Sequence, residues 1–237
     1  MSDATRLLEE QKAYYAARAP EYDDWWLRTG RHDRGPEFRS RWIAETNEVR
    51  AALAAFGAYG RILEIACGTG WWTQQLAEGA KEVTAVDASS EMIERCRTRV
   101  ETAGLGAERV RYVQADLWDW TPERRYDEVF FGFWLSHVPE ERFDAFWALI
   151  DTALVPGGRV FFVDSASDQG SSGASGAGEA AETEQREISG GRRFEIVKRY
   201  YEPRQLRERL AAIGWDFEVR TTAEFFLHAQ GRRAAER

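Results

Sequence analysis

The sequence lacks the features of several classes of protein. Only two of its 237 residues are cysteine, which excludes a disulfide framework and favours reduced thiols in a cytoplasmic protein. No apolar run approaches the roughly 20 residues that a membrane-spanning helix needs, and the polar first residues are unlike a secretory signal. The chain also has fewer basic residues than acidic ones, with 32 Lys and Arg and 40 Asp and Glu. Because the net charge is negative, we expect neither nucleic acid nor a membrane as partner.

Histidine is scarce and tryptophan is abundant. The three histidines and two cysteines form no cluster with the spacing of metal ligands, and we predict no metal site. The chain carries ten tryptophans, whose large side chains need either burial or a ligand to contact. Hydrophobic residues make up 43% of the chain, which is enough for a folded core.

The pattern of apolar residues divides the chain into two parts. Residues 1–57 have helical spacing and no strand pattern, which predicts an N-terminal helical segment. In residues 58–237 short apolar runs alternate with helical stretches, which predicts one domain with a parallel sheet and helices on both faces. A segment rich in Gly, Ser and Glu near 167–182 is predicted to be a mobile loop. The predicted strands lie near 61–66, 82–86, 110–114, 127–133, 159–163, 193–201, 215–221 and 224–230.

A glycine turn follows the first predicted strand, in the segment ILEIACGTG at 62–70. Gly68 and Gly70 allow a tight turn and a close approach of a ligand, and the next helix presents free N–H groups. Asp87 ends the second predicted strand, where a carboxylate can accept hydrogen bonds from a ribose diol. A plain strand-to-helix turn and a helix cap are the structural alternatives. Together the two features indicate a nucleoside site.

A nicotinamide dinucleotide would also need a nucleoside site. Its fingerprint has a third small residue, which this sequence replaces with Thr73 after the bulky Trp71 and Trp72. The missing glycine and the lack of a separate substrate domain therefore disfavour an oxidoreductase.

Two later motifs complete a recognisable series: QADL at 114–117 and LVPGG at 154–158. With the glycine turn and Asp87, they resemble the ordered motifs of class I S-adenosylmethionine-dependent methyltransferases of the small-molecule type, over about residues 60–163. The resemblance implies a Rossmann-like α/β fold with a seven-stranded, mostly parallel sheet. It also implies that the helical residues 1–57 form an N-terminal lid over the site. The implied cofactor is S-adenosyl-L-methionine (SAM), which leaves as S-adenosyl-L-homocysteine (SAH). Ala66 stands where the family usually has glycine.

The resemblance also assigns the cofactor-binding residues. Asp87 would hold the two ribose hydroxyls, and Asp116 would accept a hydrogen bond from the adenine amino group. Glu64 would lie near the amino group of the cofactor, although Glu64 and Asp116 could instead be structural. The predicted cofactor-binding residues are Tyr22, Glu64, Ala66, Gly68, Gly70, Asp87, Ala88, Met92, Asp116, Leu117, Gly132 and Phe133.

His137 is the candidate general base. It follows the fourth predicted strand, at the edge where open α/β sheets bind ligands, and histidine titrates near neutral pH. A loop histidine that only packs is the alternative, and His32 and His228 lack this setting. The predicted acceptor-binding residues are Tyr15, Trp26 and Trp134.

The implied reaction is an in-line displacement by an O, N or C nucleophile of a small molecule. Seven of the ten tryptophans fall in segments expected around the crevice, which predicts an aromatic pocket for a flat apolar or cationic acceptor. No Asn/Asp-Pro-Pro-Tyr/Phe motif follows the fourth strand, which disfavours DNA methylation, and Cys67 and Cys96 are poorly placed for covalent catalysis. The alternative is a methyltransferase-fold protein that binds cofactor or a partner without catalysis. We expect a monomer or a small homodimer.

Overall fold

The computed structural model describes residues 3–105, 107–166 and 182–235. The loop predicted near 167–182 therefore lies outside the described residues, apart from its last position. The helices are α1 (Asp3–Arg18), α2 (Tyr22–Leu27), α3 (Pro36–Phe56), α4 (Trp71–Gly79), α5 (Ser90–Thr102), α6 (Phe143–Ala153) and α7 (Pro203–Ala212). The strands are β1 (Arg61–Ile65), β2 (Glu82–Asp87), β3 (Val110–Gln114), β4 (Tyr126–Gly132), β5 (Leu154–Ser165), β6 (Thr183–Glu187), β7 (Arg193–Val197), β8 (Trp215–Thr221) and β9 (Phe226–Arg233).

Seven of these strands form one sheet in the order β3-β2-β1-β4-β5-β9-β8. Strands β1 to β5 run parallel, and β9 pairs antiparallel with both β5 and β8. The predicted seven-stranded, mostly parallel, Rossmann-like sheet is thus confirmed. Its strand order reverses between β1 and β4, and a crevice opens at the carboxyl ends of the strands there.

Alternate side chains of the central strands enter two apolar cores. Phe130 of β4 joins the core that α3, α4 and α5 cover, whereas Val129 and Phe131 join the core that α6 and α7 cover. Strand β5 repeats this alternation with Phe161 and Phe162. Because both faces are covered, the strands are almost continuously apolar, as a buried parallel sheet requires.

The strand predicted at 193–201 is present but shorter. It spans Arg193–Val197 and pairs with β6 in a two-stranded hairpin that is separate from the main sheet. Strand β6 has the sequence TEQRE, and its polar residues gave no apolar alternation from which a strand could be predicted.

The N-terminal helices have different neighbours. Helix α1 packs beside the β6–β7 hairpin, where Tyr14 and Phe194 are in edge contact. Helix α3 packs on the sheet instead, with Trp42 against Phe226 of β9. The elements that cover the crevice are therefore α1 and the hairpin, and the end of the lid at residue 57 stays a prediction.

Two kinds of feature are missing within the described ranges. No helix there is both long and apolar enough to cross a membrane. No group of three or more His, Cys, Asp and Glu side chains there is arranged to hold a metal ion.

Candidate functional site

A cavity of about 830 Å³, partly open to solvent, lies at the carboxyl ends of β1, β2 and β4. Helix α1 covers it with Leu8, Gln11, Lys12 and Tyr15. This position at the reversal of strand order is where open α/β sheets bind ligands. The predicted site residues that line the cavity are Tyr15, Tyr22, Ala66, Gly68, Asp87, Ala88, Met92, Asp116, Leu117, Gly132, Phe133, Trp134 and His137.

The glycine turn leaves open space beside a fixed carboxylate. Gly68 has a φ of 54°, and a Cβ added there would meet no atom within 4 Å. Its N–H donates to Asp87 Oδ2 at 2.9 Å, and the N–H of Ser89 donates to Oδ1 at 2.9 Å. Burial raises the pKa of Asp87, and these two backbone donors oppose that shift. The carboxylate retains lone pairs for two ribose hydroxyls, so this arrangement fits a nucleoside.

Two residues without the freedom of glycine adopt left-handed backbone conformations at the cavity. Ala66 has a φ of 55° and Phe133 a φ of 56°. A side chain in this region costs about 1 kcal/mol or more, and such strain clusters at functional sites. The strain at Ala66 explains why glycine is usual at this point of the turn.

Asp116 is tied to the lid. Its Oδ1 accepts a hydrogen bond from the N–H of Trp118 at 3.0 Å, and its Oδ2 accepts one from Lys12 Nζ at 2.7 Å. Lys12 belongs to α1, so this ion pair fastens the helix over the expected adenine position. Sequence reasoning missed Lys12, although Leu8, Lys12 and Tyr15 share one helix face by their spacing.

His137 lies where the cavity meets a smaller chamber of about 290 Å³. Its Nδ1 is 2.6 Å from the carbonyl oxygen of Val197, which can only accept, so Nδ1 carries the hydrogen. The lone pair on Nε2 then accepts a hydrogen bond from the Tyr15 hydroxyl, 2.7 Å away. Burial, reinforced by the charge of Lys198, lowers the pKa of His137 well below its usual value, and the imidazole is therefore neutral.

Three predicted site residues do not line the cavity. Glu64 is 1% exposed and faces α4 and α5, with Thr73 and Cys96 as neighbours, and burial raises the pKa of its carboxyl well above the usual value. Gly70 packs against α5. Trp26 is 6% exposed and belongs to the apolar core beside α3 and α4.

The tryptophans divide between the core and the site. The ring centroid of Trp26 lies 5.6 Å from that of Trp71 and 5.5 Å from that of Trp72. All three side chains pack in the apolar core beside α3 and α4. Neighbouring tryptophans such as Trp71 and Trp72 were not both expected to face the crevice, and in the structure neither of them does. Of the seven tryptophans expected around the crevice, Trp118 and Trp134 line the cavity, Trp25 lines the chamber, and Trp26, Trp71, Trp72 and Trp120 line neither.

We expect Gly70→Ala to destabilise the fold. Gly70 has a φ of 85°, and an added Cβ would lie 2.9 Å from Cys96 Cα, a backbone atom that cannot move without shifting α5. Backbone strain and the clash together should lower the free energy of unfolding by about 3 kcal/mol in urea denaturation. Gly157→Ala is the matched control, because its φ is 78° and no atom lies within 4 Å of the added Cβ. Equal losses in the two variants would contradict the assigned contact.

Comparison with known proteins identifies the family. Residues 62–158 match the model of a methyltransferase domain. The structure of DhpI in complex with SAH is 38% identical, covers 97% of this chain and 98% of DhpI, and has a TM-score of 0.74. The chain belongs to the class I S-adenosylmethionine-dependent methyltransferases. A DhpI–SAM–HEP complex is similar to this methyltransferase as well, with 39% identity, coverage of 98% and 99%, and a TM-score of 0.77.

Two curated relatives match this methyltransferase over shorter stretches. Phosphatidylethanolamine N-methyltransferase of Cereibacter sphaeroides is 34% identical over 99 residues, which are 41% of this chain and 48% of the relative. Demethylmenaquinone methyltransferase of Clavibacter sepedonicus is 37% identical over 120 residues, which are 50% of this chain and 45% of the relative. The matches span about half the length of these relatives, and they show a shared domain but not a shared acceptor.

Proposed function

We propose that this methyltransferase binds SAM in the cavity under α1 and passes its methyl group to a small molecule. The observation that carries the proposal is the meeting of Gly68, Asp87 and Asp116 in one cavity at the carboxyl ends of the strands. DhpI, which is similar over nearly its whole length, forms complexes with SAH and with SAM, and this supports the choice of cofactor.

The lining residues fit the parts of SAM. Asp87 would hold the ribose hydroxyls, and Asp116 would accept from the adenine amino group with one of its remaining lone pairs. Met92 and Leu117 line the cavity and would give the adenine ring apolar contacts. Tyr22 and Phe133 line both the cavity and the chamber, and the methyl group would lie at this junction.

Bound there, SAM supplies a methyl group that its sulfonium charge already activates. The protein must then align the acceptor and, for a hydroxyl or protonated amine, remove a proton. Neutral His137 would take that proton on Nε2, directly or through the Tyr15 hydroxyl that it contacts. Tyr15 and Trp134 would contact the acceptor. The chamber is narrow and partly open to solvent, which favours a small molecule over a macromolecule as acceptor.

Binding of the cofactor is the first test. Calorimetric titration with SAH should give a Kd below about 100 μM, and NADH should not bind. Absence of SAH binding would refute the proposal. Loss of binding after heating above the unfolding temperature serves as the control for nonspecific heats.

Turnover is the second test, and it separates catalysis from the non-catalytic alternative. Release of SAH should be measured against a panel of small alcohols, amines, phenols and acids. Tight SAM binding with no SAH release from any of them would favour a binding protein. The contact between a neutral histidine and a phenol at the acceptor end favours catalysis. A cytoplasmic location and a monomer or small homodimer stay predictions.

A further inference from the structure

The chamber beside the cofactor cavity is lined by three positive side chains. Arg18 comes from α1, Arg186 from β6, and Lys198 from the segment after β7. Their exposed fractions are only 3%, 3% and 5%. Positive groups this deeply buried are unfavourable unless negative charge or hydrogen-bond acceptors compensate them.

The protein compensates two of these charges itself. Arg186 Nη2 lies 2.5 Å from Glu184 Oε2. Lys198 Nζ donates to Ser136 Oγ at 2.8 Å and lies 3.5 Å from Asp164 Oδ1. Counted over the described residues, these three cations face two carboxylates, which leaves one positive charge in excess.

Arg18 is the cation without compensation. Its Nε and Nη2 atoms are buried and have no hydrogen-bond partner among the described residues. The main electrostatic neighbours of Arg18 in the described ranges are the phenols of Tyr14, Tyr15 and Tyr22, and no carboxylate is among them. The guanidinium lies over aromatic rings, 5.0 Å from the centroid of Tyr22 and 5.8 Å from that of Trp25. Trp25 also lines the chamber, and its buried indole nitrogen has no hydrogen-bond partner in the part of the chain that the structure describes. The chamber therefore offers unused hydrogen-bond donors and one unused positive charge.

We propose that this chamber binds an oxyanionic group of the methyl acceptor, of the phosphonate, phosphate or carboxylate type. Such a group presents several acceptor oxygens and a negative charge, and a guanidinium fork binds two of those oxygens at once. A neutral or cationic ligand would leave the Arg18 charge uncompensated. The chemical class of acceptor inferred here, an anion, thus differs from the apolar or cationic acceptor that the tryptophan content predicted.

The location makes this oxyanion part of the acceptor. The inference rests on the proposed function, because four residues line both the chamber and the cofactor cavity, so a molecule held in the chamber extends toward the expected methyl group. Arg18 also belongs to the lid, so the same anion would connect α1 to the hairpin and to the end of β5. The shared lining residues are Tyr15, Tyr22, Phe133 and His137.

Direct binding tests the proposal. The full chain, saturated with SAH in a low-chloride buffer, is titrated calorimetrically with methylphosphonate, inorganic phosphate, acetate and the neutral dimethyl sulfone. At least one oxyanion should bind with a Kd of about 1 mM or lower, and the sulfone should not bind. The ranking of phosphonate, phosphate and acetate identifies the preferred group. Equal binding of the sulfone, or no oxyanion binding, would overturn the inference.

Two variants locate the site. Arg18→Gln should weaken oxyanion binding at least about tenfold and leave the Kd of SAH within about twofold. Arg6→Gln is the matched control, because it removes a charge from the same helix at an exposed position, and it should leave both affinities unchanged. Oxyanion binding by Arg18→Gln equal to that of the unaltered protein would also overturn the inference.

Thermal unfolding distinguishes a ligand-binding arginine from a structural one. Without ligand, Arg18→Gln should keep or raise the Tm, because it removes an uncompensated buried charge, and it should lose the rise in Tm that the oxyanion produces. A lowered Tm with an unchanged oxyanion response would show a structural role. If Arg18→Gln does not fold, Arg18→Lys keeps the charge without the fork and should bind the oxyanion several-fold more weakly. Failure of the unaltered protein to bind SAH would instead refute the proposed function.

Discussion

Replacing Asp87 with alanine is expected to weaken SAH binding about 100-fold or more. The carboxylate is held in place by the N–H groups of Gly68 and Ser89, so it is oriented before the ribose arrives. Two charge-assisted hydrogen bonds to the ribose hydroxyls would contribute about 1.5–3 kcal/mol each, which exceeds the 2.7 kcal/mol that a hundredfold change requires. Calorimetric titration with SAH measures the effect.

Two controls sharpen this experiment. Asp87→Asn keeps the shape and one acceptor oxygen, and it should lose about tenfold in affinity because the charge is gone. Asp144→Ala removes an exposed carboxylate from the first turn of α6 and should leave the affinity unchanged. An unchanged affinity of Asp87→Ala, in a protein whose circular dichroism shows a folded chain, would contradict the ribose assignment.

The second large effect is expected at His137. With the acceptor found in the SAH-release screen, His137→Gln should lower kcat about 100-fold or more and leave SAH affinity within about twofold, since a positioned base contributes that much to proton transfer. Tyr15→Phe removes the hydroxyl that contacts Nε2 and keeps the imidazole. If the proton passes through Tyr15, both variants lose rate; if it passes directly, Tyr15→Phe loses little. A fully active His137→Gln would exclude a general base at this position.

The pH profile gives an independent check of the same residue. Because burial lowers the pKa of His137, protonation of Nε2 requires a more acidic solution than an ordinary histidine with a pKa of about 6.5. The base is active when neutral, so kcat/KM should stay level through pH 6.5 and fall only in more acidic solution. His137→Gln should lose that acidic limb. An acidic limb centred at or above pH 6.5 would contradict the buried neutral histidine.

The cofactor half of the site could be predicted because its geometry is local. Each of its motifs ends a strand of one parallel sheet, and the carboxyl ends of parallel strands meet at one edge. Gly68, Asp87 and Asp116 therefore converge whenever the strands form in the predicted order. Strand β2 pairs in parallel with β1 on one side and with β3 on the other, and these pairings bring the three residues together.

The predicted site residues that do not line the cavity share one cause. Trp26 and Gly70 stand beside residues that do reach the cavity, and the sequence could not tell which way each side chain would face. Packing in the tertiary structure sets these orientations. Trp26 packs against other aromatic rings in the core, and Gly70 lies directly against Cys96 of α5. Lys12 was missed because its partner, Asp116, is 104 residues away in the sequence.

The sequence by itself determined the sheet, the order of its motifs and the cofactor-binding edge, because strand patterns and turn residues act over short distances. Only the tertiary structure decided what lies beside that edge. The three cations of the chamber come from separate parts of the chain: Arg18 from α1, Arg186 from β6 and Lys198 from the segment after β7. In the sequence alone, each of them has the pattern of an ordinary surface cation. Their burial in one chamber arises from packing α1 against the hairpin, and that packing changed the expected acceptor from apolar or cationic to anionic.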